Sequence, residues 1–157
     1  MSTSMLAITE SLPKIRRRLR LRRKLRHWGA RGFVTRGPQF VKWAAVEHFG
    51  LGRYGDPLDP SGWRKGFANL ASMIAPGGWL YLSVPIGPQR TEFNAHRVFS
   101  IKTVLELLAE RFTVRRFAYV GDDDDLRIDV PLSSDVVDSN AGCTFGCGIF
   151  EAQAFID

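Results

Sequence analysis

Glu47 and His48 stand side by side, and both are residue types that accept and return protons near neutral pH. Adjacent residues cannot share one side of an extended strand, so a common role requires a turn. In a turn, either side chain can position or deprotonate an acceptor hydroxyl, which makes Glu47 and His48 the candidate catalytic pair. A capping or loop-ordering pair is the equal alternative. Arg53 and Tyr54 lie between glycines and are candidates for binding a polar substrate, or parts of a structural turn. Asp56 precedes Pro57 and either orders that turn or joins the substrate contacts. Asn94, His96 and Arg97 form a second polar group in a stretch that reads as a loop, and they suit an anionic or sugar-like acceptor.

Other chemistries are less well supported. Glu47, His48, Asp56 and Asp59 offer oxygen and nitrogen ligands, but their spacing matches no standard metal motif, so no metal site is expected. Cys143 and Cys147 have no second pair to complete a zinc site and are too few for a disulfide framework. Two reduced, partly buried thiols in a cytoplasmic protein are the expectation. Ser83 lacks the strand-to-helix elbow of a serine nucleophile.

These residues need elements to hold them. Asp59-Pro60 reads as a helix cap followed by proline at the first helical position, with Leu58 and Trp63 as a hydrophobic staple. Trp63, Phe67, Leu70, Ala71 and Ile74 then recur on one helical face, until Ala75-Pro76-Gly77-Gly78 stops the pattern. Trp79 to Val84 reads as a buried strand and Pro85 to Val98 as a loop. Ser100 caps a second helix with Ile101, Val104, Leu105 and Leu108 as its apolar stripe. Phe112 to Val120 and Gly148 to Ile156 are further strands, and Asp122 to Asp125 is a solvated acidic turn. Strands separated by helices predict an α/β fold with a parallel sheet and one added edge strand.

Charge divides the chain. Residues 1–40 carry a net +10 and residues 41–157 a net −4, so the overall +6 comes from the first quarter. Lys14 to Arg26 holds nine basic residues in thirteen, with Leu12, Ile15, Leu19 and Leu25 at roughly helical spacing. Residues 1–40 are expected to be a basic N-terminal arm, poorly ordered or a short helix, and residues 41–157 a folded domain. No apolar run is long enough to span a bilayer as a helix.

Several segments of the second region resemble one family. They are Val46 to Pro60 (Val-Glu-His-Phe-Gly-Leu-Gly-Arg-Tyr-Gly-Asp-Pro-Leu-Asp-Pro), Ala75 to Leu80, Ser83-Val84-Pro85, Asn94 to Phe99 and Phe145 to Phe150. The chain resembles, over about 110 residues, a family of unknown function placed with the class I S-adenosylmethionine-dependent methyltransferases. The resemblance implies a partial Rossmann-like class I methyltransferase sheet. Glu47-His48 would follow its fourth strand, Trp79–Val84 would be the fifth, and the last two strands would be the sixth and an antiparallel seventh. Ligands of such sheets sit at the carboxyl ends of the parallel strands, where the loops after Val46 and Val84 fall. The function it implies is a methyltransferase, with a sugar or polysaccharide hydroxyl as the suggested acceptor.

The pattern departs from such enzymes at its start. Nothing in residues 1–40 supplies their strand, Gly-rich turn and helix, and Gly29-Ala30-Arg31-Gly32 is not a G-x-G turn. The expectation is a truncated relative, inactive alone, that does not bind S-adenosylmethionine by itself. An open sheet edge would then favour self-association or a partner chain. The rival reading is a noncatalytic binding module whose Arg-rich arm holds nucleic acid or an anionic membrane.

Overall fold

A computed structural model describes residues 40–43, 45–53, 55–93 and 95–156, with side chains from Ala45 onward. Residues 1–39 of the basic arm expected over 1–40 lie outside the described residues, as do Tyr54 and Asn94, while Phe40 belongs to a strand. The elements in order are β1 (Phe40–Trp43), a 3-10 turn (Val46–His48), α1 (Gly62–Ser72), β2 (Trp79–Ile86), β3 (Arg90–Glu92), β4 (His96–Val98), α2 (Ile101–Ala109), β5 (Phe112–Val120), β6 (Leu126–Arg127), α3 (Ser134–Asp138), a 3-10 turn (Asn140–Gly142) and β7 (Gly146–Ala154). Among the described residues no helix is long and apolar enough to cross a membrane.

The fold is mixed α/β. Its main sheet has the order β1-β2-β7-β5-β6, and β3 and β4 form a separate hairpin. β1 pairs with β2 in parallel, while β7 runs antiparallel to both β2 and β5, and β6 antiparallel to β5. β1, β2 and β5 therefore share one direction. The expectation of a parallel sheet with an added edge strand is corrected here. The last strand is interior, and three of the four pairings in this sheet are antiparallel. β7 suits the interior because small residues let neighbours close over it. Gly148, Phe150, Ala152 and Ala154 pack into the core, while Ile149 and Glu151 on the opposite side are also buried.

The helical faces account for the core. Trp63, Phe67, Leu70, Ala71 and Ile74 join alternate β2 residues Leu80, Leu82, Val84 and Ile86 in one cluster. On α2 the buried stripe is Ile101, Val104, Leu107 and Leu108, with Leu105 only partly buried. Ser100 caps this helix as expected, its hydroxyl accepting the Thr103 amide. Phe150 sits between the layers with no exposed surface and contributes on the order of 2–3 kcal/mol through burial.

The start of α1 differs from the expectation. The helix begins at Gly62, and Asp59 organises the turn before it rather than capping it directly. One carboxylate oxygen of Asp59 accepts the Ser61 amide at 2.8 Å and the Ser61 hydroxyl at 2.6 Å, and the other accepts Lys65 at 2.7 Å. Lys65 first and Ser61 second lower the Asp59 pKa to about 2. No staple forms, because Leu58 is 66% exposed. The stretch read as a loop from Pro85 to Val98 begins with the end of β2 and contains the β3–β4 hairpin. β2 passes through Pro85, whose carbonyl accepts the Phe99 amide while the Gly87 amide donates to the Phe99 carbonyl, so Phe99 requires no donor from the proline.

Candidate functional site

The two sequence segments that hold the candidate residues meet in space. β1 leads into the turn at Val46–His48, and β2 leads into the β3–β4 hairpin, so both segments follow carboxyl ends of strands that run the same way. β7 starts beside them, since Gly146 is opposite Ile86.

Four hydrogen bonds and one ring contact tie the segments together. His48 Nδ1 lies 2.6 Å from the Ala95 carbonyl oxygen, which also accepts Arg53 at 2.7 Å. The Arg97 guanidinium donates to the Phe49 carbonyl at 2.6 Å and to the Glu47 carbonyl at 3.4 Å. The His48 and His96 rings pack edge to face with centroids 6.5 Å apart. Arg97 is only 4% exposed, and burial lowers its pKa while Asp59 and Asp56 act in the opposite sense. It remains charged, since arginine does not deprotonate in proteins.

The tautomer of His48 follows from its partner. A carbonyl oxygen can only accept, so Nδ1 carries the hydrogen, and in the neutral ring Nε2 keeps its lone pair. Nε2 lies 3.6 Å from Glu47 Oε1. A proton arriving on Nε2 would therefore form an imidazolium beside the Glu47 carboxylate. The 3-10 turn solves the problem of adjacent side chains, because it rotates Glu47 and His48 out of strand alternation.

Unsatisfied polar atoms concentrate here. Among the described residues, the buried side-chain atoms without a hydrogen-bond partner are Glu47 Oε2, His96 Nε2 and Glu151 Oε2, and the first two belong to this site. His96 Nε2 is 3.2 Å from Glu92 Oε2, an ion-pair distance without hydrogen-bond alignment. Buried polar groups in folded proteins are paired as a rule, so two such atoms in one place point to a ligand or ordered water.

The remaining predicted residues have internal roles. Asp56 Oδ2 accepts the amides of Gly50 at 2.9 Å and Gly52 at 3.4 Å. Gly50, Gly52 and Gly55 all have positive φ, and their spacing is G-x-G-x-x-G. This run follows a 3-10 turn instead of joining a strand directly to a helix, and its amides are turned on Asp56. It is thus not arranged as a dinucleotide cradle.

Sequence reasoning gave Phe145, Cys147 and Asp122 no place in the site. Phe145 packs against His96 with ring centroids 5.2 Å apart. The Cys147 thiol has a raised pKa, chiefly through burial and secondly through the Glu47 carboxylate, so it is an unreactive neighbour of the pair. Asp122, in the stretch read as a solvated acidic turn, accepts the amides of Thr144 at 2.8 Å and Phe145 at 2.9 Å. Those amides lower its pKa. No local sequence signal marks this clamp, because its partners are more than twenty residues away. Among the described residues no group of three or more His, Cys, Asp or Glu is placed to hold a metal ion. A hollow of about 340 Å³ beside β5, bordered by Arg116, Asp129 and Pro131, includes none of the site residues.

No curated protein and no solved structure matches the chain. A family model described as Caenorhabditis protein of unknown function, DUF268, matches residues 33–146, a span that contains both segments of the site. The chain belongs to this DUF268 family.

Proposed function

We propose that residues 40–156 form the acceptor side of a methyltransferase-like domain of S-adenosylmethionine-dependent lineage. In this reading Glu47 and His48 take the proton of a hydroxyl acceptor. The observation that carries it is the sheet: β1, β2 and β5 run in one direction and the last strand, β7, runs against them. That is the layout implied for a fourth, fifth and sixth strand with an antiparallel seventh. The candidate residues also follow the carboxyl ends of β1 and β2, where open α/β sheets bind ligands.

The chain's own residues support the acceptor role. Arg97 and Arg53 fix the two loops to each other through backbone carbonyls, so the pair is held in place before substrate arrives. His48 Nε2 offers a lone pair and Glu47 a neighbouring negative charge. The G-x-G-x-x-G run offers no cradle for S-adenosylmethionine, since the Gly50 and Gly52 amides are turned on Asp56. Calorimetric titration of the full chain with S-adenosylmethionine tests the assignment. The expected result is no saturable binding in the micromolar range. A micromolar Kd with one ligand per chain would place cofactor binding on this chain and overturn the acceptor-side reading.

A further inference from the structure

We infer that Phe145 is the ring platform of this site and that the acceptor it selects is a neutral saccharide. The inference deepens the acceptor-side reading and rests on it. Phe145 is 50% exposed, unlike the core aromatics, yet it is not loosely held. Asp122 clamps its amide and that of Thr144, and Arg90 donates to the Thr144 carbonyl at 3.0 Å. Gly87 lets the same segment approach closely, since a Cβ there would lie 2.3 Å from the Thr144 oxygen. The ring packs against His96, and the Arg90 guanidinium lies over it, 5.9 Å from the centroid, so the face away from Arg90 is the one offered to a ligand. A large apolar ring is thus fixed at a half-open position beside His96, whose Nε2, like Glu47 Oε2, is buried without a hydrogen-bond partner.

This combination asks for a ligand with one apolar face and a polar edge. A pyranose has both: axial C–H groups that lie on the negative face of an aromatic ring, and hydroxyls around its rim. Charge then separates neutral sugars from anionic ones. The cations nearby are engaged inside the protein, Arg97 and Arg53 by carbonyls and Arg90 by Glu92 and Thr144. The Glu47 carboxylate keeps one oxygen without a donor. A hydroxyl satisfies that oxygen, whereas a carboxylate or phosphate is repelled by it.

Saturation-transfer NMR on the full chain tests this with the methyl glycosides of glucose, galactose and mannose, and with methyl glucuronide as the anionic probe. At least one neutral glycoside should receive saturation at its ring protons, more strongly than the glucuronide. In F145A the apparent affinity should fall by roughly fivefold to tenfold, the scale of one lost ring contact. F145W should retain it. F145L fills the same space without a π face and should behave as F145A does, which keeps the test valid if F145A is unstable. No transfer to any neutral glycoside, an unchanged signal in F145L, or equal transfer to the glucuronide would overturn the platform. The probes are read without cofactor, so such a failure is distinct from the outcome of the S-adenosylmethionine titration.

Discussion

Gly50→Ala should destabilise the domain by about 3–5 kcal/mol, with a loss of roughly 10–20 °C in Tm. Two causes act together. Gly50 has φ +74°, where an L side chain costs about 1–2 kcal/mol. An added Cβ would also lie 2.0 Å from the Asp59 carbonyl oxygen and 3.2 Å from Gly62 Cα. Both are backbone atoms, so relief requires the turn to separate from the start of α1. That separation breaks the Asp59 amide's bond to the Gly50 carbonyl and the Gly50 amide's bond to Asp56. Gly55→Ala isolates the conformational part, because Gly55 has φ +80° and nothing within 4 Å of the added Cβ. It should cost only about 1–2 kcal/mol. Thermal unfolding of both variants measures the difference, and equal losses would show that the contact with Asp59 has no weight.

Arg97→Met is the second large effect, expected at about 2–4 kcal/mol. Methionine fills much of the volume but leaves the Phe49 carbonyl without the donor that now lies 2.6 Å away. Hydrogen bonds from a charged donor are stronger than neutral ones, and an abandoned buried acceptor adds its own desolvation cost. Part of the loss is offset, because the buried guanidinium is itself desolvated, as its lowered pKa indicates. The change should also loosen the Val46–His48 turn from the β3–β4 hairpin, so amide exchange in residues 46–53 should rise more than in β7. Denaturant unfolding gives the first quantity and hydrogen exchange the second. A loss below about 0.5 kcal/mol, the ordinary scale of a surface substitution, would mean that the guanidinium does not join the loops.

The elements were legible where one period governed one face. The five apolar positions from Trp63 to Ile74 all reach the core, and β5 has the bounds its sequence suggests. The position of β7 was not legible. Its alternation of Phe150, Ala152 and Ala154 against Glu151 and Gln153 reads as a half-exposed edge. Burial of Glu151 depends on neighbours contributed by β2 and β5, among them Tyr81 and Arg116. Pairing between distant strands leaves no mark in a local period. Proline at Pro85 hid the end of β2 for a similar reason, because its missing donor matters only where a partner needs one.

At the site, residue types identified Glu47, His48 and His96, but not what each touches. The contact between His48 and Ala95 uses a backbone carbonyl, which any residue carries, so no side chain announces it. Arg53, Asp56 and Arg97 read as substrate ligands because they are charged and flanked by glycines or a loop. In the structure each contacts backbone groups of the site itself. Phe145 gave no signal beyond its place in the resemblance, since its half-exposure depends on a clamp from Asp122.

The protonation state of His48 tests the central claim most directly, because the proposed base is Nε2 and only one tautomer leaves it bare. The chain has three histidines, so a long-range ¹H–¹⁵N correlation spectrum of the labelled protein resolves few rings, and His48→Gln assigns one of them. In the neutral ring of His48 the account predicts a hydrogen on Nδ1, held by the Ala95 carbonyl, and an unprotonated Nε2. A hydrogen on Nε2 with a bare Nδ1 would contradict the contact to Ala95 and remove the base from the site.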